Sequence, residues 1–453
     1  MRLTRYSVAL LGCLCAVLAL AGEPPSRPPI DSPELAHLGD ASVGVRTITV
    51  VDKDRPDVLA FDEQTHSAPP HDRVLKVDIW YPAQALRGAT PVTYSGILPS
   101  ETAGSQGTFS VPGIAVRDAP PVAGRHPLVI LSHGRRNDVA ALVWLGENLA
   151  SKGYVVAAIH HQDSPLSDRL AHAGWLLNRP LDIAFVARSL QSSLAAEGLV
   201  DPTRTALFGY SAGGYGVLTA AGAVLDPGSR IVTAGVPGGL LLPYARGGAL
   251  QQTTQVPGLK AVIAMSPAGG GALAAWGREG LAGIHAPLLM ISGDVDWTVD
   301  YATGARAMLD AATGTRRYLL TFKGAGHNIG LIPAPESMRS NLWFWSYFED
   351  PVWRKDRIIG VSLHMITAFL DRYVRDDESR ASYLDGLVPD SNSGRWPAEL
   401  RKNFDAFSPG TGGITVWKGF QNEFYTNLEL LQRAPQGGSA PPPTDLMLVP
   451  KHP

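Results

Sequence analysis

The stretch whose residue types and spacing point most directly to chemistry is Gly209-Tyr210-Ser211-Ala212-Gly213. An apolar run at 205–208 precedes it, and small residues at helical spacing follow over 214–223. That order predicts a strand, a sharp turn and a helix. Glycine is needed on both sides of the serine, because a Cβ at either place meets the neighbouring strand or helix. The turn holds the Ser211 Oγ clear of the sheet and aims the next amide, that of Ala212, at the same point. The pattern is weak by itself in a chain with 48 glycines. Its plain alternative is a glycine-rich turn carrying a surface serine. To attack at neutral pH a serine needs a base, and histidine titrates in the right range. A carboxylate must then fix the imidazole tautomer and stabilise the imidazolium. Two later apolar runs end in suitable residues, Gly293-Asp294-Val295-Asp296 and Gly324-Ala325-Gly326-His327. The prediction is a Ser211 nucleophile, a His327 base and Asp296 as its orienting acid. Asp294 is the alternative acid, a helix N-cap the plain role for either aspartate, and a packed loop histidine the plain reading of His327.

Such residues have to be delivered by strand ends. The segments 127–131, 154–159, 205–208, 259–265, 287–292 and 318–323 are continuous apolar runs, the mark of strands buried on both faces. Helical spacing appears between them at 139–152, 178–196, 300–312 and 357–374. Asn178 is placed as a cap and Pro180 in the first turn. Alternation of this kind predicts an α/β fold, a mostly parallel sheet with helices on both faces. Segments 43–52 and 74–82 alternate apolar and polar residues and predict an antiparallel start to the sheet. Residues 53–73 read as a loop, 84–124 as a long surface excursion, and 225–257 as an inserted loop or lid.

Other residues near the predicted strand ends invite roles. Tyr210, Trp297, Trp343 and Trp345 are candidates to line a pocket, the last two in an aromatic insertion, 343–353, that is either a packed lid or an apolar wall. His160 and His161 are expected to line the pocket or brace a loop. Adjacent histidines raise the question of a metal, but no carboxylate cluster with ligand spacing accompanies them, so none is assigned. His133 is expected to hold its loop, and Arg179 with Asp182 to form a bracing ion pair. The Arg135 and Arg136 side chains are read as a solvated loop rather than an attractor for acidic substrates.

The 453 residues are 45% hydrophobic and 18% charged, with a net charge of -2, so nothing favours binding to nucleic acid or to an anionic membrane. Arg2 and Arg5 precede an uncharged apolar run at 8–20, and Ala19-Leu20-Ala21 supplies small residues for cleavage. That predicts a signal peptide at 1–21 and export to the periplasm or medium, the run being too short for a stable membrane span. The alternatives are an uncleaved anchor, or lipoprotein processing at Cys13 in Leu10-Leu11-Gly12-Cys13. Cys13 and Cys15 are the only cysteines, so the mature chain is expected to have no disulfide and no thiolate site. The remaining divisions are a proline-rich linker at 22–40, a catalytic domain at 41–375, an appendage packed on it at 376–434, and a disordered tail at 435–453.

Taken together, 131–134, 160–164, 178–182, 201–214, 293–299 and 324–327 resemble the α/β-hydrolase superfamily. Within it they are similar to the branch of predicted dienelactone hydrolases and platelet-activating-factor-acetylhydrolase-like esterases. The resemblance implies cleavage of a small-molecule ester or acyl substrate through an acyl-enzyme, without a cofactor. It also implies that the amide of Arg135 joins that of Ala212 as an oxyanion donor. Tyr210 stands where histidine is frequent, and serine stands where dienelactone hydrolases carry cysteine, which argues against dienelactone as substrate. A lactonase or lipid deacylase fits the same residues. A non-catalytic binding protein on the same fold is the alternative of another class. Oligomeric state is not legible.

Overall fold

A computed structural model describes residues 23–99, 106–164, 168–396, 413–421 and 424–436. The predicted signal peptide and nearly all of the predicted tail lie outside the described residues. The chain opens with β1 (Ser42–Pro56) and β2 (Pro70–Ala83), a hairpin of β3 (Thr93–Pro99) and β4 (Gln106–Pro112), and the short β5 (Val116–Arg117). Alternation follows: β6 (His126–Ser132), α1 (Val143–Ser151), β7 (Val155–His160), α2 (Ala171–Ala196), β8 (Val200–Tyr210) and α3 (Ala212–Ala220). Next come β9 (Leu259–Met265), β10 (Leu288–Gly293), α4 (Ala307–Ala311), β11 (Arg317–Phe322), α5 (Leu342–Phe348), α6 (Lys355–Val374) and β12 (Leu428–Arg433).

Ten strands form one sheet in the order β12-β11-β10-β9-β8-β6-β7-β2-β1-β5. From β7 to β11 every neighbouring pair is parallel, while β1, β2 and β12 join antiparallel. The continuous apolar runs have a physical cause here. Val129 and Leu131 face a core built with α1 and α6, and Leu128 and Ile130 face one built with α2 and α3. A strand covered on both sides has no polar face to alternate with.

Several boundaries differ from the sequence reading. α2 starts at Ala171 rather than 178, so Asn178 is not a cap; it lies buried inside the helix and accepts a bond from Arg55 Nη2 at 3.1 Å. Pro180 is therefore interior, where it leaves the carbonyl four residues earlier without its helical donor, at a typical cost of ~3 kcal/mol. That carbonyl, of Leu176, accepts the Tyr215 hydroxyl at 3.0 Å instead. A tertiary contact thus repairs what local propensity forbids. The segment after 375 supplies the edge strand β12 and the buried Trp417 and Phe420, so it is built into the sheet and not only laid upon it. Residues 23–40 pack rather than link. Ser26 Oγ donates to Glu147 at 2.8 Å, and Asn148 Nδ2 donates to the carbonyls of Ser26 and Ala36 at 3.0 and 2.9 Å.

Candidate active site

Ser211 sits between β8 and α3 at φ 54° and ψ −115°, a conformation that side chains rarely adopt. Its amide donates to Met265 at 2.9 Å and its carbonyl accepts from Ala268 at 3.0 Å, so β9 and the loop after it hold the bend. A Cβ on Gly209 would lie 2.2 Å from the Gly213 carbonyl oxygen, and one on Gly213 would lie 2.1 Å from that of Ser132. The two glycines are steric requirements of the turn.

Two other strand ends reach the same place. His327, in the turn after β11, brings Nε2 within 3.0 Å of Ser211 Oγ and Nδ1 within 2.7 Å of Asp296 Oδ2. The carboxylate side fixes the tautomer: Nδ1 carries the proton and Nε2 accepts from the serine hydroxyl. Asp296 is buried and its Oδ1 accepts the amides of Thr298 and Val299 at 3.0 and 3.2 Å. Burial alone pushes its pKa up, yet the hydrogen bond and charge of His327 and the Val299 amide hold it below the usual carboxylate value. Asp294 points elsewhere and accepts the Gly324 amide at 2.6 Å. Tyr210 lies against the imidazole with ring centroids 5.4 Å apart, and burial raises its pKa well above the ordinary phenol value.

The hydroxyl of Ser211 opens into a cleft of about 870 Å³. Arg135, Tyr210, Ala212, Trp297 and His327 all line it, and Trp297 is 93% exposed at its rim. Four sequence candidates do not line it. His161 is buried, with Nδ1 2.9 Å from Asp182 Oδ2 and Nε2 2.9 Å from Ser132 Oγ. Burial pushes its pKa down to about 3, with the Arg179 charge adding to the shift. It is a neutral brace. His160 leans the other way, its Nε2 2.9 Å from Asp78 Oδ2. Trp343 and Trp345 stand half-exposed on α5, outside the cleft, and the wall residue from that helix is Tyr347. His172 and Trp175, from the first turns of α2, also line the cleft and were missed. No sequence signal marked them, since the face α2 turns to the cleft is set by its packing on the sheet.

Arg179 and Asp182 do not pair with each other. Asp182 takes a two-pronged bond from Arg73, 2.7 and 2.8 Å, and another from Arg55 at 3.1 Å. Arg179 pairs with Asp163 and donates to the His133 carbonyl at 2.7 Å. His133 Nδ1 lies 2.7 Å from the Gly134 carbonyl and Nε2 accepts the His161 amide at 3.3 Å, so it too is neutral; burial holds its pKa well below the usual value. Both histidines therefore spend their ring nitrogens on partners within the protein: His133 on the Gly134 carbonyl and the His161 amide, His161 on Asp182 and Ser132. Among the described residues, no group of three His, Cys, Asp or Glu side chains is arranged to hold a metal ion.

A family model described as PET hydrolase-like matches residues 120–237, which span the strand, the bend and Ser211. This match agrees with the parallel sheet and the bend at the end of β8. The chain has the α/β-hydrolase fold. Among curated proteins this chain is similar to Cutinase 2 of Thermobifida cellulosilytica, 26% identical over 207 residues, 45% of this chain and 62% of that one. It is equally similar to Cutinase cut1 of Thermobifida fusca, 26% identical over 45% of this chain and 50% of that one. It thus spans only about half to three-fifths of these relatives, between 50% and 62%. A solved ferulic acid esterase from Streptomyces cinnamoneus aligns with TM-score 0.48 and 21% identity, over 76% of this chain and 94% of that one. No helix among the described residues is long and apolar enough to cross a membrane.

Proposed function

We propose that the protein is a serine hydrolase that cleaves carboxylic esters through an acyl-enzyme. The observation that carries this reading is the hydrogen-bonded chain Ser211–His327–Asp296 at the wall of the cleft, 3.0 and 2.7 Å in its two links. Ser211 Oγ attacks the ester carbonyl carbon while His327 Nε2 takes its proton. Asp296 stabilises the imidazolium without itself being protonated. The amides of Ala212 and Arg135 face the carbonyl oxygen as it becomes negative. Collapse expels the alcohol, which leaves with the proton from His327. A water then repeats the sequence on the acyl-serine, releasing the acid and restoring the hydroxyl. The likeness to cutinases and to PET hydrolase-like proteins supports carboxylic esters as the first acyl substrates to assay. Trp297 and Tyr347 offer aromatic surface to an acyl or aromatic group in the cleft.

Export is part of the same proposal and rests on residues 1–21. The mature protein is expected to begin at Gly22, read by intact mass.

The test is hydrolysis of short p-nitrophenyl esters by the wild type and Ser211→Ala. The variant should fall by roughly 10⁴- to 10⁶-fold. An unchanged rate defeats the assignment and leaves a binding protein on a hydrolase fold.

A further inference from the structure

Residues 134–137 form a tight turn in which the Asn137 amide donates to the Gly134 carbonyl at 3.2 Å. Arg136, its third residue, has φ 64°, the left-handed value that a type II turn requires there. Glycine takes that conformation without strain; arginine takes it only when its surroundings hold it. The holding group is Arg179, a buried cation from the interior of α2. Its Nη1 donates to the His133 carbonyl at 2.7 Å and its Nη2 to the Gly134 carbonyl at 3.4 Å. The same Gly134 carbonyl accepts His133 Nδ1 at 2.7 Å. Arg179 also pairs with Asp163, whose Oδ2 accepts the Arg136 amide at 3.3 Å. One planar fork therefore grips two successive carbonyls and, through Asp163, the amide of the strained residue. A lysine ammonium, a compact donor without that fork, cannot reproduce this span.

Peptide planarity carries the consequence to the reaction. In a trans peptide the carbonyl and the following N–H point in opposite directions. The Gly134 carbonyl faces His133 and Arg179, so the Arg135 amide faces away from them. On that side lies the cleft that Arg135 lines together with Ser211 and Ala212. We propose that Arg179 and Asp163 are positioning residues for the oxyanion site: they lock turn 134–137 so that the Arg135 amide is aimed at the oxygen on which charge develops. The proposal rests on the ester-hydrolase reading. It gives a function to a buried ion pair that nucleophile, base and acid do not use.

The experiment measures kcat and KM of wild type, Arg179→Lys and Asp163→Asn on a p-nitrophenyl ester and on its thionoester, with thermal melts alongside. Loss of one oxyanion donor lowers kcat about 10²- to 10³-fold, and Arg179→Lys should approach that range with KM little changed. Asp163→Asn should lose less, because Arg179 still reaches both carbonyls. The preference for the oxygen ester over the thionoester should shrink in both variants. Sulfur is the weaker acceptor and has less to lose when a donor is turned away. Rates within about twofold of wild type in both variants overturn the proposal. A loss of rate with the oxygen-to-sulfur preference unchanged also overturns it, since that is general damage to the fold. Should Arg179→Lys fail to fold, Asp163→Asn decides by the same preference. A wild type inert on every ester instead removes the reading beneath, an outcome distinct from active enzyme with unaffected variants.

Discussion

The Tyr210 hydroxyl donates to the carbonyl of His327 at 3.0 Å, joining residues 117 positions apart. The residue before the bend thus grips the backbone of the proposed base. Its neighbours are gripped as well: the Gly326 amide donates to Asp350 Oδ2 at 2.8 Å, and the buried Lys355 ammonium donates to the Asn328 carbonyl. Three successive residues are held by three different elements, which keeps the imidazole aligned on the Ser211 hydroxyl. Tyr210→Phe removes one of these bonds and leaves the ring in place. It should cost about 1 kcal/mol of stability and up to about tenfold in kcat, read by melts and steady-state kinetics.

The two aspartates after β10 separate cleanly. Asp296→Asn leaves the wrong imidazole tautomer facing Ser211 and should lower kcat about 10⁴-fold. Asp294→Asn alters only a bond to the Gly324 amide and should stay within about threefold of wild type. Equal losses in the two variants would sink the assignment of Asp296.

Lys152 makes the fold sensitive to pH. Its ammonium is buried against the Leu35 carbonyl at 2.6 Å, Asn148 Oδ1 at 2.6 Å and Thr367 Oγ1 at 2.9 Å, none of them charged. Burial pushes its pKa down to about 7, against the pull of Asp371 and with the push of Arg375 and Arg380. Lys355 is pushed down to about 8 by burial, against Glu349 and Asp350. A folded pKa below the unfolded value of 10.5 means that the unfolded chain binds more protons between them, so stability should rise with pH from about 7 towards 10. Lys152→Met should flatten the lower part of that rise in melts taken across the range. An unchanged slope would show that the ammonium does not titrate there.

Asp182 anchors Arg55, Arg73 and His161 behind the loop of Ser211. Removing one partner of such a group strands buried charge, so Asp182→Asn should cost about 3–5 kcal/mol in denaturant unfolding. A loss below ~1 kcal/mol would mean that the network is wetter than its burial indicates.

Trp297 is bound to nothing that folding needs, being 93% exposed. Trp297→Ala should leave stability within ±0.5 kcal/mol, and should raise KM for an aromatic ester by about 2- to 10-fold through the lost ring contact. An unchanged KM would remove it from the substrate's path.

The amino-acid order by itself determined what depends on neighbours along the chain. Apolar runs without alternation meant strands covered on both faces, and the spacing of two glycines around Ser211 meant a bend that no Cβ permits. Those are local steric and burial rules, and the parallel sheet follows from them. Only the tertiary structure decided what depends on direction. Asp294 and Asp296 follow the same strand, and the backbone path alone sends one to His327 and the other to Gly324. His161 and Trp343 carry site-like side chains that packing turns away, while Trp175 reaches the cleft from a helix whose start was hidden behind Pro180. Pro180 could stay interior because Tyr215, far along the chain, supplies the donor for Leu176. A hydrogen bond between distant residues leaves no mark on the spacing of either, so only the folded molecule shows it.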